Sequence, residues 1–184
     1  MALGLVIVSF VCAVAFLVFL PVRRVRTSVP SLAIVLWLGG CNLIHAVNAV
    51  LWAGNVDIHI PVWCDIVTKL LLGVNVALPA AILCIARELE LVTSYRKIST
   101  DQIVIRNRMI LELVLCYVVP VIYMSLHIVI QDRRFDLVRD YGCSASSHPS
   151  TVAFLILWIP PLIISAGALV LSGMYVAGRS LLLC

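Results

Sequence analysis

The segment PVWCDIVTK at 61–69 gathers Trp63, Cys64, Asp65 and Lys69 between two very apolar runs. An acid and a lysine at i, i+4 can meet across one helical turn. A cysteine can enter a metal site or a disulfide, and its companions decide which. The seven cysteines, at 12, 41, 64, 84, 116, 143 and 184, form no C-x-x-C and no His/Cys cluster, so no metal site is expected. A second polar set is Asn42, His45 and Asn48, spaced at i+3. At about 100° per residue they drift by about 60° per step and share one sector about 120° wide. Thr68, Lys69 and Asn75 form a third set. No catalytic constellation emerges: there is no paired carboxylate, no H-E-x-x-H, no phosphate-cradling glycine loop and no His in register with Ser and Asp. Glu112 is the only acid deep in an apolar run. The reading is a non-enzyme without catalytic residues, cofactor or metal.

The elements that position these side chains follow from composition. The chain is 63% hydrophobic and only 12% charged, and its mean hydropathy is +1.14. A soluble domain is nearer half apolar and a quarter charged, so the solvent here is largely lipid. Five apolar segments, at 2–20, 31–53, 66–86, 109–130 and 153–177, are each long enough to cross a hydrocarbon core of roughly 30 Å. Backbone groups must be satisfied internally in lipid, so the spans are helices. The expected fold is all-α, a polytopic transmembrane helix bundle. The net charge of +4 does not indicate nucleic acid, because the basic residues fall in short loops without aromatic interleaving.

Loop charge sets the orientation. With the N-terminus outside, nine basic residues lie inside: Arg23, Arg24, Arg26, Arg87, Arg96, Lys97, Arg106, Arg108 and Arg179. Three lie outside: Arg133, Arg134 and Arg139. Cys64 and Cys143 then share the outer side, where a disulfide between them is expected; two unpaired thiols are the alternative. Trp63 reads as an interfacial aromatic. Asp65 falls in the first turn of span three, where a negative charge is favoured. Lys69 either pairs with Asp65 and faces Asn48, or snorkels outward. The three sets of polar residues are either interhelical glue or the lining of a ligand cavity. Pro79, Pro120, Pro160 and Pro161 cannot donate to the carbonyls of Asn75, Cys116, Ile156 and Leu157, so three spans should bend.

The stretches VWCDIVTKLLLGVNVALPAAILCIAREL at 62–89, RFDLVRDYGC at 134–143 and FLPVRRVRTS at 19–28 resemble the fungal mating-pheromone receptors of the a-factor-receptor-like branch. The resemblance runs from span one through span five of an expected seven, making 1–184 a partial receptor domain. It implies a multi-pass G-protein-coupled receptor of the plasma membrane with an extracellular N-terminus. Its implied partners are a secreted prenylated peptide pheromone and a heterotrimeric G protein. Ligand contact is expected from Asn42, His45, Asn48, Lys69 and Asn75. Coupling is expected from Arg23, Arg24, Arg87, Arg96 and Lys97, with anionic lipid as their simpler partner. The CIARELE sequence at 84–90 departs from the D-R-Y type triplet of animal receptors, so no switch mechanism is carried over. The alternatives are a truncated non-signalling paralogue, or a transporter or channel fragment, although no repeat symmetry is visible.

Overall fold

Helices follow the apolar runs in the computed structural model, which describes residues 2–54, 60–93, 102–138, 141–146 and 150–182. Helix α1 is Ala2–Phe19, and the short α2 is Arg23–Thr27. Helix α3, Val29–Leu51, starts where Ser28 accepts from the Ser31 N–H at 3.5 Å and Pro30 occupies the first turn. Both features stabilise a helix start. Helix α4, Pro61–Thr93, has 33 residues and is about 50 Å long, more than a hydrocarbon core requires. Helix α5, Gln102–Leu113, passes through a π segment, Val114–Val118, into α6, Val119–Ile130. Helix α7 is Thr151–Leu182.

Among the described residues, α3, α4, the α5–α6 passage and α7 are long and apolar enough to cross a membrane, and α1 adds a shorter apolar helix. The chain is a multi-pass membrane protein built as an all-α bundle. Helix α4 starts five residues earlier than the 66–86 span predicts, because Pro61 suits a first helical position and hydropathy alone is blind to it. Cys64 therefore lies within the first turn, and Asp65 lies just beyond it.

The bundle centres on α4, which packs against α3, α6 and α7. Small side chains let the backbones approach: Ala33, Ala49, Ala77, Ala80 and Ala81 all have 0% exposure. Such residues replace the hydrophobic drive that lipid cannot supply. At Gly73 a Cβ would stand 2.9 Å from the Met124 sulfur, so glycine sets how closely α6 meets α4. Large apolar side chains such as Val118 and Val129 are left exposed, as suits helices solvated by lipid.

Proline shapes the bundle in an unexpected way. The carbonyl of Cys116, to which Pro120 cannot donate, accepts the Trp37 indole N–H of α3 at 3.1 Å. The carbonyl of Leu157, denied a donor by Pro161, accepts the Tyr123 hydroxyl of α6 at 2.8 Å. Two helix defects thus become interhelical links.

Among the described residues, a two-stranded antiparallel hairpin supplies the strands. Strands β1, Asp136–Val138, and β2, Gly142–Ser144, pair Leu137 with Cys143. The hairpin caps one end of the bundle. A Cys64–Cys143 disulfide ties β2 to the first turn of α4, with the Cα atoms 5.3 Å apart. Both cysteines are buried among Ile44, Trp52 and Val67, and Phe135 and Leu137 pack against this cluster. Gly142 has φ +86°, open to glycine without strain, and a Cβ there would meet Asn48 at 2.7 Å. The hairpin escapes a hydropathy reading because its strands have three residues each.

Mass spectrometry of unreduced peptides is expected to recover the Cys64–Cys143 link. Cys143→Ser should lower stability by about 2–5 kcal/mol in a thermal unfolding assay. Free alkylation of both thiols in native membranes would contradict the pairing.

Candidate functional site: a cavity junction at Asn75

Three cavities meet at one residue. Beneath the hairpin lies a polar chamber of ≈ 320 Å³, walled by His45 of α3, Thr68 and Asn75 of α4, and Tyr141 and Ser144 of the hairpin. A cavity of ≈ 440 Å³ opens between α4, α6 and α7 at Asn75, Pro79, Tyr123, Leu157 and Pro161. A third, of ≈ 520 Å³, continues along α4 and α7 past Leu78, Ile82 and Leu169. Asn75 lines all three and is itself exposed. Its amide stands at the boundary between a polar end and an apolar groove.

The chamber offers hydrogen bonds but carries no charge on its lining. The His45 ring lies 5.1 Å from the Tyr141 ring, and His45 Nδ1 is buried with no hydrogen-bond partner. Burial pushes the Tyr141 phenol up, so its hydroxyl remains a donor. The Thr68 hydroxyl donates to the Cys64 carbonyl at 2.8 Å, an intrahelical bond that leaves Thr68 a passive wall.

The other polar residues separate from this junction. Asn42 donates to the Leu38 carbonyl of its own helix at 2.8 Å. Asn48 is fully buried and accepts from the Trp63 indole at 2.9 Å. Trp63 is thus a hydrogen-bonding link between α4 and α3 as well as an aromatic near the helix end. Of the three residues in one sector of α3, only His45 lines the chamber, because the hairpin closes over Asn48.

Lys69 departs from the expected arrangement. Its ammonium contacts His127 Nδ1 at 2.8 Å and Gln131 Oε1 at 2.7 Å, both on or next to α6. An ammonium only donates, so His127 accepts at Nδ1. Lys69 is therefore joined to α6, and Asn48 has Trp63 instead. Asp65, expected to hold Lys69, forms its ion pair with Arg134 at 2.6 Å. The reason is rotational. Spacing on α4 allows the Asp65–Lys69 contact, but the neighbouring α6 end brings better-placed partners to each side chain.

At the opposite end, Arg108 of α5 is held by Glu88 of α4 and by Glu112, the latter at 3.2 Å. Arg87, Arg23 and Arg24 are exposed there. Arg96 and Lys97 lie outside the described residues, as does Arg139. The Glu88–Arg108 link was not legible in the sequence, since the two residues are 20 apart on different helices. Among the described residues no group of three or more His, Cys, Asp or Glu is placed to hold a metal.

A sequence profile of the pheromone A receptor family (STE3) matches residues 4–179, nearly the whole chain. The chain belongs to this family. It is 44% identical over 163 residues to the pheromone B beta 1 receptor of Schizophyllum commune, covering 89% of this chain and 30% of that protein. It is 31% identical over 169 residues to pheromone receptor 1 of Mycosarcoma maydis, covering 90% of this chain and 47% of the relative. Similarity extends to the pheromone a factor receptor of Saccharomyces cerevisiae, at 25% identity over 137 residues, 72% of this chain and 29% of the relative. The chain thus spans less than half the length of these relatives. No solved structure matches it. The family is one of receptors rather than enzymes.

In this family member Lys69 joins α4 to α6. Lys69→Met removes the donor to His127 and Gln131 and should destabilise the bundle by about 1–3 kcal/mol. Lys69→Arg should recover most of that loss, because charge and donors remain while the shape changes. Thermal unfolding in detergent reads the difference. Equal stability of the wild type and Lys69→Met would show that the two contacts contribute nothing.

Proposed function

We propose that this chain forms the first five spans of a plasma-membrane receptor for a secreted prenylated peptide pheromone, signalling to a heterotrimeric G protein. The observation that carries the reading is the junction at Asn75. A polar, uncharged chamber passes directly into apolar grooves within the bundle. An amphiphile with a hydrogen-bonding end and a hydrocarbon tail matches that polarity, and a purely polar or purely apolar ligand matches half of it. Membership of the pheromone A receptor family supports the same ligand class.

His45 and Asn75 are the direct ligand contacts in this reading. Asn42, Asn48 and Lys69 hold the walls: Asn48 through Trp63 and the hairpin, Lys69 through α6, and Asn42 within α3. The ligand prefers one packing of the bundle and shifts its population toward it. The N-terminus and the hairpin face outward, in keeping with the nine-to-three excess of basic residues on the other side. Arg23, Arg24, Arg87, Arg96 and Lys97 then face the G protein. The receptor binds and signals without catalysing a covalent reaction.

Asn75→Leu keeps the side-chain size and removes the amide. In the protein expressed from its complete reading frame, the substitution should shift the pheromone dose–response curve roughly tenfold at equal surface level, the worth of one buried hydrogen bond. An unchanged curve would remove Asn75 from the ligand site.

An epitope placed in the 94–101 segment should be inaccessible to antibody in intact cells and become accessible on permeabilisation. Labelling from outside would reverse the orientation.

A further inference from the structure

The middle cavity shares its wall with a hydrogen bond to a carbonyl that proline deprives of its helical donor. Helix α7 contains Pro160 and Pro161 in sequence, and neither can donate to the carbonyl four residues earlier. A helix that lacks two successive main-chain bonds bends easily there. One of the two affected carbonyls, that of Leu157, accepts the Tyr123 hydroxyl from α6 at 2.8 Å. Tyr123 is 4% exposed, and its ring packs with Leu72 and Val76 of α4. The hydroxyl therefore projects from a fixed base. Tyr123, Leu157 and Pro161 all line the ≈ 440 Å³ cavity, together with Asn75 and Pro79. Both partners in the bond and the proline that makes it necessary thus face the space assigned to ligand.

We infer that Tyr123 is a latch through which the occupant of the α4–α6–α7 cavity sets the bend of α7. With the cavity empty, the Tyr123 hydroxyl replaces the donor that Pro161 lacks and holds α7 against α6. An occupant pressing between Asn75 and Leu157 displaces the hydroxyl. The Pro160–Pro161 bend is then released, and the part of α7 beyond it swings relative to α6. Tyr123 acts through the Leu157 carbonyl, so it is a positioning residue rather than a ligand contact. The inference rests on the receptor reading for the identity of the occupant. The link between Tyr123, Leu157 and Pro161 does not depend on that reading.

The test is a double-mutant cycle with two readouts. The protein is expressed from its complete reading frame, and spin-labelled amino acids are introduced at the exposed Ile122 of α6 and Val170 of α7. Tyr123→Phe keeps the ring and removes the hydroxyl. In nanodiscs without ligand it should move the α6–α7 distance distribution toward that of the wild type with saturating prenylated pheromone. In cells it should raise ligand-independent signalling about two- to tenfold, the range that one hydrogen bond imposes on a two-state equilibrium. Pro161→Ala restores a main-chain donor to Leu157. In that background Tyr123→Phe should have no further effect on either readout, whereas a general packing role for the ring would leave the effect in place. Identical distances in the wild type and Tyr123→Phe would overturn the latch. So would a Tyr123→Phe effect of equal size with and without Pro161. A Pro161-dependent distance change, in a protein whose wild type answers to no prenylated peptide, would uphold the latch and overturn the receptor reading.

Discussion

The structure depends on one requirement: lipid offers no hydrogen bonds, so every backbone group that proline leaves without its helical donor needs a partner inside the protein. At two proline sites that partner is an aromatic donor on a neighbouring helix. Trp37 serves the carbonyl opposite Pro120, and Tyr123 serves the one opposite Pro161. In water such carbonyls would be solvated at little cost. In hydrocarbon an unpaired polar group costs several kcal/mol. The proline positions therefore dictate which faces of α3 and α6 turn toward their neighbours. The π segment just before Pro120 belongs to the same adjustment, since wider turns relieve the ring's clash with the preceding carbonyl.

The hairpin end has a different logic. Apolar packing in lipid gives helices little reason to associate, so this end is fastened by specific links. A disulfide joins β2 to α4, the Trp63–Asn48 bond joins α4 to α3, Lys69 joins α4 to α6, and the Asp65–Arg134 pair joins α4 to the chain after α6. All four begin on the first nine residues of α4. PVWCDIVTK is thus the anchoring segment of the bundle, and each of its reactive side chains is engaged with a different element. The exposed Asp65–Arg134 pair contributes least, because water and salt screen it. The buried disulfide and the shielded lysine contribute most.

Much of this was legible beforehand. Hydropathy located the helical passages, because their length is imposed by the membrane. Loop charge placed Cys64 and Cys143 at the same end, and so predicted their pairing. The prolines named the carbonyls that would lose donors. The identities of the donors were not legible. Spacing along one helix fixes the angles among its own residues, as with Asn42, His45 and Asn48. It leaves open the rotation of the next helix, and so could not choose between Asp65 and His127 for Lys69. The hairpin was hidden for a related reason. Its three-residue strands have too little alternation to register, and the disulfide and Gly142 hold them where propensity would not.

Asn75 shows how the two regimes meet. It lies one turn before Pro79 on α4, so the proline leaves its carbonyl without the usual donor and its side-chain amide faces the cavities. On the hairpin side of it, polar groups are numerous, and Trp63, Asp65 and Lys69 are linked to neighbouring elements. Beyond it, along α4 and α7, the lining is mostly apolar, with Ser165 and Ser172 as its polar members. A polar residue at such a depth is costly when it faces hydrocarbon and advantageous when it meets a matching group. Its position at the mouth of the chamber, rather than within it, places it where the lining of the cavities changes from polar to apolar. Pro161 of α7 lines the neighbouring cavity at the same opening. The boundary in polarity and the paired prolines of α7 therefore coincide at one level of the bundle.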